Sequence, residues 1–109
     1  MKAGKLDRRI TIQRQGEATD NGIEEIPGAL ETYATRWASW KPANGREIFE
    51  NLGREAKAAG TFWLRYDSLT SGILATDLVS WDGRTWDIIS INQIGRLEGV
   101  ELLVVAGDE

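Results

Sequence analysis

The side chains that could do acid–base chemistry in this chain are carboxylates, adjacent at Glu24-Glu25 and single in turns such as Asp82, with lysine amines as the other option. A catalytic acid–base pair needs two groups whose surroundings drive their pKa values apart. Acids in polar loops and turns are solvated instead, and these read that way. The 109 residues contain no His and no Cys. Their absence removes the commonest general base, the Ser–His and Cys–His nucleophile pairs, the usual zinc ligands, thiolate metal sites and disulfides. No phosphate-cradling loop or dinucleotide fingerprint occurs, because the glycines around Gly45 and Gly53 lack the required spacing. The expectation is a protein that is not an enzyme and needs no cofactor and no metal.

Binding is the remaining class of chemistry. Net charge is −4, which opposes strong non-specific DNA binding, since that depends on clustered Lys and Arg releasing counterions. A single-strand reader would interleave aromatics with basic residues on one sheet face. Trp63-Leu64-Arg65-Tyr66 and Arg84-Thr85-Trp86 have something of that pattern, although a small core also demands its aromatics. Charge is uneven along the chain. Residues 1–15 hold Lys2, Lys5, Arg8, Arg9 and Arg14 against Asp7, and residues 16–31 hold Glu17, Asp20, Glu24, Glu25 and Glu31 with no base. Two readings stay open: a solvated strand edge beside a solvated loop, or two complementary patches that meet between neighbouring copies.

The elements that must position these residues are mostly short strands. In "DRRITIQRQ" the alternation turns Ile10 and Ile12 inward and Arg9, Thr11 and Gln13 outward. "GEATDNGIEEIPGALE" has no sustained period and reads as a long excursion with a hairpin at Asn21-Gly22. "TYATRWASWKP" is a second strand stopped by Pro42, which cannot donate to a ladder. Trp37 and Trp40, three apart, fall on opposite faces of a strand. One faces the core; the other lies under the following element or stands exposed as a partner anchor. "TFWLRYD" alternates Phe62, Leu64 and Tyr66 against Trp63 and Arg65, and "SLTSGILAT" is a turn-rich connection. "DLVSWDGRTWDIISIN" predicts a tight hairpin at Asp82-Gly83 with Trp81 and Trp86 near its mouth. After the turn "QIGRLEG", "VELLVVA" is apolar enough to be a central or closing strand.

"NGREIFENLGREAKAAG", Asn44–Gly60, reads as a helix. Asn44 is the N-cap with Glu47 three residues on. Ile48, Phe49, Leu52, Ala56 and Ala59 form one apolar stripe. Glu50 and Arg54 sit i,i+4, Lys57 suits the C-terminal dipole, and Gly60 is a natural C′ residue. Gly53 weakens the middle by about 1 kcal/mol. The expectation is one domain over 1–109: mainly β, a small antiparallel barrel of about six strands, which avoids bare edges, with this helix inserted between two of them. No run is apolar enough for a transmembrane helix. The start, "MKAGKLDRRITIQ", has no apolar h-region of roughly 7–15 residues and does not read as a secretory signal.

Taken in order, these pieces resemble the head–tail joining proteins of tailed bacteriophages, also called head-completion or head-closure proteins. The resemblance covers nearly the whole chain and rests on succession: Gly4, Leu6 and Arg8 at the start, Trp37-Ala38, Gly45-Arg46-Glu47, Asp82-Gly83-Arg84 with Trp86 and Ile88, then Glu101-Leu102-Leu103. It implies a small antiparallel barrel with an inserted helix and no catalytic residues. It further implies a chain that assembles as a ring, twelve-fold in the family, beneath the adaptor or connector ring on the portal. That ring closes the DNA exit after packaging and offers the docking surface for the tail-completion protein. Contact with channel DNA would be weak at most, no membrane is involved, and the location would be the virion, with host cytoplasm before assembly. Small barrels also serve one layer further down, as tail-completion proteins, and that alternative stays open beside a nucleic-acid-binding barrel. Expected subunit or connector contacts are Glu17, Asp20, Glu24 and Glu25 in the acidic loop and Gly45, Arg46, Glu47, Phe49, Glu50 and Arg54 on the helix.

Overall fold

The structure is a computed structural model, and it describes residues 5–20, 22–26, 28–43 and 58–106. Eight strands lie along them: β1 (Arg8–Gln15), β2 (Thr19–Asp20), β3 (Glu25–Ile26), β4 (Leu30–Pro42), β5 (Ala58–Arg65), β6 (Leu78–Trp81), β7 (Arg84–Ile94) and β8 (Gly99–Ala106). Six of them close into an antiparallel barrel in the order β1-β4-β5-β8-β7-β6, and β2 and β3 form a separate two-stranded ribbon. Closure removes the free edges that a chain of short strands would otherwise expose.

Alternation decides the interior. Ile10 and Ile12 of β1, Ala38 of β4, Phe62 and Leu64 of β5, Val79 of β6, Trp86 and Ile88 of β7 and Val100, Leu102 and Val104 of β8 form one buried cluster. The partner registers agree with this: Phe62 faces Leu102, Leu64 faces Val100, and Val79 faces Trp86. β8, read as a central or closing strand, pairs with β5 on one side and β7 on the other, as every strand of the closed barrel has two neighbours. The β6–β7 hairpin turns at Asp82-Gly83 with φ of 54° and 72°, the double positive φ that a two-residue type I′ connection requires.

Two tryptophans lie flat against glycine backbone. Trp40 covers Gly60 inside the barrel and Trp63 covers Gly99 on its outer wall, each ring occupying the space a Cβ would need. Trp40 is one of four rings filling the hairpin end. Its centroid is 4.7 Å from Phe62, 4.9 Å from Trp81 and 5.2 Å from Trp86, within the range where tilted and edge-on aromatic pairs attract. The Trp86 indole N–H donates to the Trp81 carbonyl at 3.2 Å, so this buried ring has a polar partner.

The inserted helix needs correction at its end. Most of it, residues 44–57, lies outside the described residues, but Ala58, Ala59 and Gly60 are the first residues of β5. Gly60 pairs with Pro42 and Val104 rather than ending a helix. The ladder to β8, from Ala58 opposite Ala106 onward, outweighs the helix preference of two alanines, which is a weak local bias. Among the described residues the only helical element is a 3-10 turn at Thr70–Gly72, in the connection from β5 to β6.

Candidate functional site

Among the described residues no group of three or more His, Cys, Asp or Glu is placed to hold a metal ion. The surfaces that offer themselves to partners are the β2–β3 ribbon, the outer wall of β1 and β4, and the loop that supports them.

The ribbon leaves the barrel where β1 passes into β4. Its base is tied by Gly16 N–H to the Ala29 carbonyl at 2.9 Å and by Gln15 Nε2 to the Gly28 carbonyl at 3.1 Å. Thr19 faces Ile26 and Asp20 faces Glu25, and Gly22, between the two strands, has φ 87°. The excursion therefore holds an antiparallel pair of strands, and Asn21 of the expected turn lies outside the described residues. Asp20 Oδ1 accepts the Gly22 N–H at 2.8 Å, a local turn bond. Ile23 at the tip is 91% exposed and Ile26 is 44% exposed. Of the expected contact residues, Glu17, Asp20, Glu24 and Glu25 are gathered here, all exposed. Gly45, Arg46, Glu47, Phe49, Glu50 and Arg54 lie outside the described residues.

The basic first strand does not form the single patch its composition implies. Arg8 pairs with Asp7 at 3.0 Å. Arg9 lies over the Trp37 ring, 5.2 Å from its centroid, a cation–π contact on the outer wall. Arg14 turns inward, stacks 3.9 Å above the Tyr33 ring, and grips buried Asp77 with two hydrogen bonds of 2.9 and 2.8 Å. Parity is the cause: Arg14 follows Ile10 and Ile12 on the inward face, and a cation turned toward a core requires a carboxylate. The signal for Arg14 was in the alternation; its partner, 63 residues away, was not.

Asp77 and Asp67 brace the β5–β6 connection. Burial of Asp77 opposes its ionisation and is the largest single influence. The Arg14 guanidinium, the Leu74 N–H at 2.8 Å and the pair's attraction together outweigh it and hold the carboxyl below the usual range. The Arg14 pKa is raised, first by its hydrogen bonds to Asp77. Asp67 behaves likewise: desolvation pushes it up, but Arg36 Nε at 2.9 Å and the Thr70 and Leu69 N–H groups at 2.8 Å bring it below the usual range. Thr70 Oγ1 answers by accepting the Asp67 N–H and donating to the Arg65 carbonyl, both at 2.8 Å.

Trp37 is the outward member of its pair, 51% exposed, and Trp40 the inward one. Trp37 stands in an open groove of about 650 Å³ lined by Leu6, Asp7, Arg36, Trp37, Arg65 and Asp67. The groove exists because β4 outruns its neighbour: pairing with β5 ends at Ala38 opposite Leu64, while β4 continues beside β1 as far as Leu30. Neither Trp63 nor Trp86 presents a stacking face, since both are buried.

The sequence profile of a family described as phage head completion protein matches residues 1–107. Among solved structures, the solution structure of protein SF1141 from Shigella flexneri 2a is similar, with a TM-score of 0.74 and 28% identity over 100% of this chain and 99% of that one. No curated protein matches the chain.

Proposed function

The chain belongs to the phage head completion family, and from that premise we propose that it is a structural, non-catalytic component of the phage head–tail connector. It joins other head and tail proteins in the virion. The observation that carries this reading is the family match across residues 1–107. In finer detail, the chain acts as one domain and forms a ring, twelve-fold as in its family, beneath the adaptor on the portal. The ring closes the exit after DNA packaging and offers its far side to the tail-completion protein. Before assembly the chain resides in host cytoplasm. Its contacts come from Glu17, Asp20, Glu24 and Glu25 on the ribbon and from Gly45, Arg46, Glu47, Phe49, Glu50 and Arg54.

Physical features support this. A net charge of −4 suits a channel component that must let DNA pass without gripping phosphates. A ring of identical copies joins two different patches of each copy, and the acidic ribbon and the outer wall that carries Arg9 over Trp37 are two such patches. The test is to mix purified protein with tailless, DNA-filled heads that carry a connector and image the vertex. An added ring is expected; heads that bind no protein would refute the proposal. Reversing Glu24 and Glu25 to Lys should weaken binding while leaving the fold intact.

A further inference from the structure

The groove beside Trp37 and the tip of the β2–β3 ribbon both offer exposed apolar side chains, and the charges they offer are of opposite sign. The groove has an apolar floor, Leu6 and the exposed face of Trp37. Its two acids are committed, Asp7 to Arg8 and Asp67 to Arg36. Arg65 in the lining and Arg9 beside it have no carboxylate partner among the described residues. The ribbon has the opposite character. It carries Ile23 and Ile26 exposed, and the sequence from residue 16 to residue 31 holds five acids and no base. Register sets Asp20 directly opposite Glu25. Like charges so placed repel, and a two-stranded ribbon is marginal in water to begin with. A guanidinium lying across the two carboxylates would relieve that repulsion.

We propose that the Trp37 groove receives the β2–β3 ribbon of a second copy of this chain. Ile23 and Ile26 pack on Leu6 and Trp37, and Arg65 and Arg9 meet the Asp20–Glu25 pair. Each copy then gives a ribbon to one neighbour and accepts one from the other, the head-to-tail arrangement that closes into a ring. The inference rests on the reading that copies of the chain stand side by side, and it adds which surfaces they use.

The absence of cysteine makes the test clean. One preparation carries Ile23→Cys; another carries Thr35→Cys, two residues from Trp37 on the outward face of β4. The two are mixed and oxidised. A 23-to-35 heterodimer is expected, well above the link from Ile23→Cys to a control Thr85→Cys on β7, three strands round the barrel from β4. Adding Glu25→Lys to the first partner should lower the yield several-fold, and adding Arg65→Glu to the second should restore it. A 23-to-35 link no more abundant than the control, or one indifferent to both charge reversals, overturns the inference. The same oxidation on connector-bearing heads separates the two claims. Heads that gain a ring without the 23-to-35 link refute the ribbon-in-groove contact and leave the connector role standing. A strong link in solution with heads that gain no ring supports the contact and refutes the role.

Discussion

At the end of the barrel that carries the β6–β7 hairpin, Trp40, Phe62, Trp81 and Trp86 pack ring against ring. At the opposite end, the β5–β6 connection sends Ile73 into the core but is held by charges: Arg14 on Asp77, Arg36 on Asp67, and the reciprocal bonds of Asp67 and Thr70. The first end relies on burial and ring packing, which are indifferent to pH. The second relies on directional bonds to ionised groups, which are strong in geometry and titratable. The polar end also adjoins the candidate interface, since Arg36, Arg65 and Asp67 line the Trp37 groove. Acid should therefore loosen the end near the interface before it touches the aromatic one.

The largest effect on stability should come from the aromatic end. Phe62→Ala removes the ring packed against Trp40 and Trp81 and should cost about 3–5 kcal/mol, read as a lower urea midpoint followed by tryptophan fluorescence. The loss should be the same at pH 7 and pH 4. A negligible loss from conservative Phe62→Leu would show that volume alone, not ring packing, holds this end.

Asp77→Ala should follow, at about 3 kcal/mol, because it strands the Leu74 N–H and removes the counter-charge that Arg14 faces at a 1% exposed position. Acidification tests the same contact without mutation. Asp67 and Asp77 are both held below the ordinary value of 3.8 in the folded chain. The unfolded chain thus binds protons at higher pH than the folded one. Their contribution is whole above that ordinary value and is lost as pH falls through the depressed folded values. Asp77→Asn should flatten the acid limb of the stability curve measured from pH 5 to pH 2, whereas Phe62→Ala should lower the whole curve without changing its shape.

Thr70→Val, which removes the hydroxyl that answers Asp67, should cost about 1–2 kcal/mol, and amide exchange should quicken in residues 66–72 while the β6–β7 hairpin is unchanged. Smallest of all, Trp37→Ala should shift stability by no more than about 0.5 kcal/mol, as expected of an exposed side chain, yet it should abolish the 23-to-35 cross-link. A marked loss of stability there would mean that Trp37 braces the fold rather than the neighbour.

Much of the aromatic end was legible beforehand. The alternation of Phe62 and Leu64 against Trp63, the Asp82-Gly83 turn and the pairing of Trp81 with Trp86 are all local patterns with period two or a fixed turn chemistry. The polar end was largely not. Arg14 reads as one more base in a charged strand until its parity is followed inward, and nothing in the spacing of Asp67 and Asp77 says which arginine each will hold. The helix end at Ala58–Gly60 misled for a related reason: alanine-rich helix propensity is local, while the strand they form is dictated by β8, more than forty residues later. Of the candidate site, the acidic ribbon was visible as composition, and the Trp37 groove was not, because it arises from one strand outlasting its neighbour.

By itself the amino-acid sequence determined the class of this protein: short alternating strands that need closure, tryptophans to fill the interior, and neither His nor Cys. Those properties follow from residue type and from periods of a few residues, so no knowledge of the far chain is needed. Tertiary structure alone decided which charges are spent inside and which remain for partners. Ion pairs such as Arg14–Asp77 join residues brought together only when the barrel closes, and the energy of a charge is set by what closure places beside it.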